Sequence, residues 1–170
     1  MSSDSPHRSL EAKRITFAVL TVSDSRDESS DVSGRRISEM MERAGYRRRE
    51  KRIVPDEEEE IERVVRGWVG EGVDVVLITG GTGISPRDRT PEAVEALIEK
   101  PLPGFGELFR FFSYQEIGGL SLLSRAGAGI SGRSLIVYMP GSPGAVTLMM
   151  EKLLLPSVGH IVYELRRERE

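Results

Sequence analysis

Three polar stretches each follow an apolar run and lead towards a helical pattern. They are Thr21-Val22-Ser23-Asp24-Ser25-Arg26, Thr79-Gly80-Gly81-Thr82-Gly83 and Met139-Pro140-Gly141-Ser142. Between them they offer backbone amides, hydroxyls and carboxylates. They offer no activated nucleophile, because the chain has no cysteine and two histidines, His7 and His160. Thiolate metal sites, disulfides and histidine clusters are thereby excluded. What remains is positioning and charge neutralisation, with carboxylates to hold a metal. Phosphoryl and nucleotidyl transfer ask for little else from side chains. The phosphate-loop pattern G-x-x-x-x-G-K-[ST] is absent, which excludes an ordinary nucleoside triphosphatase.

The elements that must carry these loops follow from periodicity. Val73 to Ile78, interrupted by Asp74, reads as a parallel strand covered on both faces. Gly80, Gly81 and Gly83 then let the backbone take positive φ and let a ligand approach the amides. Thr90 reads as an N-cap, with Pro91 at the first helical position and Glu92 in the first turn. Ile15 to Val22 is a central strand. It is followed by a helix carrying Ile37, Met40, Met41 and Ala44, capped by Asp31 or Ser33 and stopped at Gly45. Ser23 and Asp24 fit a local Asx-type turn on their own terms. The basic run 46–52 precedes the acidic residues 56–60 and has no interleaved aromatics, so it reads as a solvated strand near a sheet edge and not as a nucleic-acid surface. Asp56 with Glu59 forms a capping-box-like start to a helix whose buried stripe is Ile61, Val64, Val65, Trp68 and Val69.

Further on, a helix bearing Ala93, Val94, Leu97 and Ile98 is ended by Pro101 and Pro103. A second helical stretch spans 105–117, where Glu107 and Arg110 sit close enough for a surface ion pair. The literal G-x-G-x-x-G within 127–132 precedes a strand instead of following one, so it is no dinucleotide fingerprint; it permits a short strand and a tight connection. Residues 134–139 form the last buried strand, followed by an apolar helix 144–155 and a final helix carrying Val158, Ile161, Val162 and Leu165. Alternating strands and helices give an α/β fold, a three-layer α/β/α sandwich with a mostly parallel sheet.

Thr79-Gly80-Gly81-Thr82-Gly83, followed by Arg87-Asp88-x-Thr90-Pro91-Glu92-Ala93, resembles the signature of the MoaB/Mog family of molybdenum cofactor biosynthesis proteins. Three further segments agree: 21–26, Pro103-Gly104-Phe105-Gly106-Glu107, and Ser124-Arg125-Ala126 with Met139-Pro140-Gly141-Ser142. The resemblance covers residues 14 to 165, and Arg89 departs from the valine many relatives carry. It implies molybdopterin binding. In catalytic members it also implies adenylylation of the pterin's terminal phosphate by Mg-ATP, with pyrophosphate released and the substrate phosphate as nucleophile. By the same resemblance Asp56 and Asp88 orient Mg²⁺ and are the catalytic pair. Gly80, Gly81, Thr82 and Gly83, with Thr90 and the Pro140-Gly141-Ser142 turn, cradle the nucleotide. Thr21, Ser23, Asp24, Ser124 and Arg125 face the pterin or its phosphate, and Glu107 borders the site. A non-catalytic pterin-binding module, a different enzyme such as a nucleotide pyrophosphatase, and a scaffold protein of the same pathway stay open beside this reading.

With 170 residues and 30% charged side chains, the composition is that of one soluble globular domain, read as 14–170 behind a flexible polar tail at 1–13. The net charge of −3 supplies no overall attraction to nucleic acid or an anionic membrane. No apolar run approaches the roughly 20 residues of a membrane span, and a cytoplasmic location is expected. Relatives tend to assemble, so a homo-oligomer, trimer or hexamer, is expected, working beside other proteins of the pathway. The apolar 144–155 helix and the four phenylalanines of 105–112 offer the surface for it.

Overall fold

The computed structural model describes residues 14–167; the segment 1–13, with His7, lies outside them. Strand β1 (Thr16–Val22) leads to helix α1 (Val32–Arg43), β2 (Arg47–Val54), α2 (Glu58–Gly70) and β3 (Val75–Thr79). Then come α3 (Thr90–Glu95), β4 (Lys100–Pro101), α4 (Pro103–Ile117) and a 3₁₀ turn (Gly118–Leu123). The chain closes with β5 (Gly127–Ser131), β6 (Ser134–Met139), α5 (Pro143–Met149), a wide π turn (Met150–Leu154) and α6 (Leu155–Arg166).

The six strands form one sheet in the order β2-β1-β3-β6-β5-β4. The pairs β2/β1, β1/β3 and β3/β6 are parallel, and the β6/β5/β4 edge is antiparallel. Strand alternation sorts the core into two layers. Phe17, Val19, Val75 and Leu77 face α1, α4 and the 143–166 helical run. Ala18, Leu20, Val76 and Ile78 face α2 and α3. The fold is thus the three-layer α/β/α sandwich. Asp74, the polar break in its apolar run, accepts hydrogen bonds from the Thr16 amide and hydroxyl at 2.8 and 2.9 Å, joining the starts of two strands.

Several local expectations are corrected. Asp56 does not cap α2: the N-cap is Glu57, which makes no side-chain capping bond. Thr90 does not cap α3 either, since its hydroxyl donates to the Gly80 carbonyl at 2.8 Å. Both residues are turned into the loop 80–89, where longer-range partners outcompete the local cap. Helix α3 stops at Glu95, before either proline, and Lys100-Pro101 pairs with β5 as a short edge strand. Gly83 lacks the positive φ that Gly80 (101°) and Gly81 (66°) have. The helices expected at 144–155 and beyond are one continuous run, because the π turn over Met150–Leu154 accommodates Pro156 without a break. That run, Pro143–Arg166, is long and apolar enough to cross a membrane by length and composition, and 44% of its apolar window is buried in the core. Val146, Leu148, Met149, Met150, Leu154, Val158 and Val162 of this run are inside the domain. Asp31 caps α1, accepting from the Gly34 amide at 2.9 Å, and β2 is an edge strand as expected.

Candidate functional site

In the parallel register Val22 lies opposite Val54, Thr21 opposite Thr79, and Thr79 opposite Met139. Four strands therefore end together, and the loops starting at residues 23, 55, 80 and 140 leave from one edge of the sheet. In open α/β sheets that edge is where ligands bind. The loops are stitched to one another. The Gly80 amide donates to the Met139 carbonyl at 3.0 Å. The Thr79 hydroxyl donates to the Pro140 carbonyl at 2.9 Å, and the Ser33 hydroxyl to the Gly141 carbonyl at 2.7 Å. A Cβ built on Gly80 would lie 2.2 Å from the Val22 carbonyl oxygen, so only glycine fits between β1 and the loop. Among the described residues, the amides of Gly81, Thr82 and Gly83 donate to no protein acceptor. They form a row of unpaired N–H groups, the kind of surface that can take an anion.

Three carboxylates stand beside these amides. Asp24 is held by the protein: one oxygen accepts from the Asp56 amide at 3.0 Å, the other from the Arg87 guanidinium at 2.9 and 3.1 Å. The Asp56 amide first, then Arg87, hold its carboxyl below the usual range. Asp56 is 8% exposed and accepts the Arg89 amide on Oδ1 at 3.0 Å. Its Oδ2 lies against the glycine loop, 2.9 Å from where a Gly81 Cβ would be. Burial raises the Asp56 pKa most, and the negative charges of Asp88 and Asp24 push it the same way. Asp88 accepts the Ser85 amide on Oδ2 at 2.9 Å and faces Gly83, whose Cβ would lie 2.7 Å from the same oxygen. Among the described residues, Asp56 Oδ2 and Asp88 Oδ1 accept no hydrogen bond. The arrangement has an excess of negative charge beside a row of donors.

Those donor sets fit Mg²⁺ carried by a polyphosphate. No group of three or more His, Cys, Asp or Glu side chains among the described residues forms a metal cage. Mg²⁺ needs none, since it commonly takes one or two carboxylates and completes its shell with phosphate oxygens and water. Asp56 and Asp88 each present an oxygen for that purpose.

The remaining expected site residues divide. Pro140, Gly141 and Ser142 border the glycine loop, and Ser142 caps α5 by accepting from the Ala145 amide at 3.3 Å. Thr21 lies beneath the site, 3% exposed, with its hydroxyl donated to Asp31 at 2.8 Å. The Ser23 hydroxyl accepts from the Ser25 and Arg26 amides, the local turn its sequence predicts. Glu107 and Ser124 line a separate cavity of about 670 Å³, which includes Glu92, Arg110 and Arg125 but none of residues 80–83. No Glu107–Arg110 ion pair forms; Arg110 donates instead to the carbonyls of Ser124 and Ala126 at 3.4 and 3.1 Å. Sequence reasoning missed Lys51, whose side chain is 8% exposed and pairs with fully buried Asp31 at 2.7 Å. The alternation of β2, with Lys51 and Ile53 sharing a face, was the available signal.

Comparison with known proteins shows what the chain and its fold resemble. Residues 18–160 match the family described as "Probable molybdopterin binding domain". Molybdenum cofactor biosynthesis protein B of Bacillus cereus is 47% identical over 164 residues, covering 95% of this chain and 97% of that one. A crystal structure of a molybdenum cofactor biosynthesis protein B superposes with a TM-score of 0.87 at 48% identity, over 91% of this chain and 97% of its own. The tungsten cofactor synthesizing protein MoaB from Pyrococcus furiosus gives 0.82 at 37% identity, over 90% and 98%.

Proposed function

The chain belongs to the molybdopterin-binding domain family of molybdenum cofactor biosynthesis proteins, and from that premise we propose that it is a molybdopterin adenylyltransferase. In the proposed reaction a terminal phosphate oxygen of molybdopterin attacks the α-phosphorus of ATP. The bond from that phosphorus to the bridging oxygen of the β-phosphate breaks, and pyrophosphate leaves with the electron pair. The nucleophile is already ionised near neutral pH, so the reaction needs no protein base. This is consistent with a site that has neither cysteine nor histidine among its described side chains.

The observation that carries the reading is the juxtaposition of unpaired Gly81–Gly83 amides with two carboxylates, Asp56 and Asp88, that each keep an oxygen unused by the protein. The amides suit the polyphosphate. Mg²⁺, when bound, neutralises phosphate charge and stabilises the charge that develops on the departing pyrophosphate. Asp56 and Asp88 would hold it, and the buried position of Asp56 limits competing water. Glu107 and Ser124, in the 670 Å³ cavity, are proposed to face the pterin end of the substrate.

The working unit is proposed to be a cytoplasmic homo-oligomer, a trimer or hexamer. Support comes from one exposed apolar surface: Phe111, Tyr114, Ile117, Leu120 and Leu122 are 52–81% exposed on α4 and the 3₁₀ turn. Pyrophosphate release from molybdopterin and Mg-ATP, compared between wild type and Asp56→Asn, tests the activity. Molybdopterin binding without pyrophosphate release would reassign the chain as a non-catalytic binding module.

A further inference from the structure

The side chain of Arg125 spends three of its five N–H donors on the protein. Its Nε donates to the Gly83 carbonyl at 2.8 Å, one terminal nitrogen to the Asp88 carbonyl at 2.9 Å, and the other to Glu92 Oε1 at 2.6 Å. Its own amide donates to the Thr82 carbonyl at 2.9 Å. Gly83 and Asp88 are the two ends of the segment carrying Ile84 to Arg87. Within it the Asp88 amide closes a turn onto the Ser85 carbonyl at 2.9 Å. One planar guanidinium thus fastens both ends of the loop. Lysine carries its three N–H groups on one nitrogen and cannot span three acceptors spread as a fork.

Glu92, in the first turn of α3, completes the arrangement. One oxygen binds Arg125, and the other is buried with no partner among the described residues. An unpaired buried carboxylate oxygen is costly. The Arg125 guanidinium is the side-chain donor to this carboxylate, so Glu92 holds the guanidinium in place.

We propose that Arg125 and Glu92 are positioning residues for the proposed adenylyl transfer: they hold the 82–88 loop so that Asp88 and the free amides keep their place. The inference rests on the adenylyltransferase reading for its kinetic arm, and its exchange arm stands apart from it.

The test pairs steady-state pyrophosphate release with hydrogen–deuterium exchange of the intact protein, in Arg125→Met, Arg125→Lys and Glu92→Gln. A small misplacement of a catalytic group costs on the order of 10²-fold in rate. Arg125→Met is therefore expected to lose about that factor in kcat, with KM for ATP and for molybdopterin changed less than about twofold. Exchange of the hydrogen-bonded loop amides, those of Ser85, Asp88, Arg89 and Thr90, should rise about tenfold while β1 and β3 stay protected. Arg125→Lys should fall between wild type and Arg125→Met in both readouts. Glu92→Gln, which keeps the side-chain shape, should loosen the same loop, and it decides the matter if Arg125→Met melts early. Unchanged loop exchange in Glu92→Gln overturns the proposal. So does a tenfold rise in KM with the loop undisturbed, because Arg125 would then contact substrate. If wild type releases no pyrophosphate, the adenylyltransferase reading fails and loop exchange alone decides the positioning role.

Discussion

Replacing Gly80 by alanine separates backbone strain from collision at the base of the site. Gly80 has φ of 101° and Gly45, at the end of α1, has φ of 92°. Alanine at either position suffers similar strain, about 1–2 kcal/mol for a conformation L residues avoid. At Gly45 nothing lies within 4 Å of the new methyl. At Gly80 the methyl would sit 2.2 Å from the Val22 carbonyl oxygen and 3.2 Å from its carbon. These are backbone atoms of a central strand and cannot rotate away. Relief requires moving the loop, which strains the Gly80–Met139 and Thr90–Gly80 hydrogen bonds at 3.0 and 2.8 Å. Overpacking of this kind costs about 1–3 kcal/mol more. In a domain of this size about 1 kcal/mol shifts Tm by roughly 2–4 °C. Gly45→Ala should therefore melt a few degrees below wild type, and Gly80→Ala roughly 2–12 °C below Gly45→Ala. Thermal unfolding by circular dichroism reads the pair. Activity should survive in Gly45→Ala and be lost in Gly80→Ala, because the displaced loop carries the 81–83 amides. Equal melting temperatures for the two variants would refute the reasoning.

Asp56→Asn should lower turnover by on the order of 10²–10³ without destabilising the fold at neutral pH. A carboxyl whose folded pKa is raised contributes stability only below its unfolded value of 3.8 and loses it as pH rises through the folded pKa; urea unfolding at pH 7 checks this, and a large loss of stability would contradict it. Asp31 behaves in the opposite sense. Burial alone would raise its pKa, but Lys51, then the Gly34 amide and the Thr21 hydroxyl, outweigh burial and hold it below 3.8. Its contribution is present above that value and is lost as pH falls through the lowered pKa. Asp31→Asn should cost on the order of 3 kcal/mol at pH 7, since it leaves buried Lys51 with only exposed Glu28, and should flatten the acid limb of a stability–pH curve. Light scattering at micromolar concentration should give the mass of three or six chains; a single-chain mass stable on dilution would contradict assembly.

Much of the fold was legible because its signals are local. Val75 to Thr79 is apolar enough to name a doubly covered strand, and Asp31 sits where a helix cap belongs. Gly80, Gly81 and Gly83 after a strand mark a glycine turn, and two of the three have the positive φ their type allows. What sequence could not show is where side chains find distant partners. Asp-x-x-Glu at 56–59 has the pattern of a capping box, yet Asp56 turns to the Arg89 amide across 33 positions of sequence. Thr90 looks like a cap and instead braces the Gly80 carbonyl. Lys51 looks like one more surface charge in a basic strand, and its partner Asp31 lies in the loop before α1. Arg125 resembles a phosphate ligand by motif, and only the fold reveals that three of its donors hold the 83–92 segment. The helix read as 144–155 and the final helix are one run, because the π turn that absorbs Pro156 has no sequence signature of its own.

The central claim is tested most directly by following the α-phosphate. The purified protein is incubated with molybdopterin, MgCl₂ and ATP labelled at the α-phosphate, and the pterin is then separated from nucleotides. The account predicts label on the pterin, in a phosphoanhydride that nucleotide pyrophosphatase cleaves to labelled AMP, with one pyrophosphate released per label transferred and transfer slowed by on the order of 10²–10³ in Asp56→Asn. Label that stays in ATP, or appears as free AMP with none on the pterin, would contradict it.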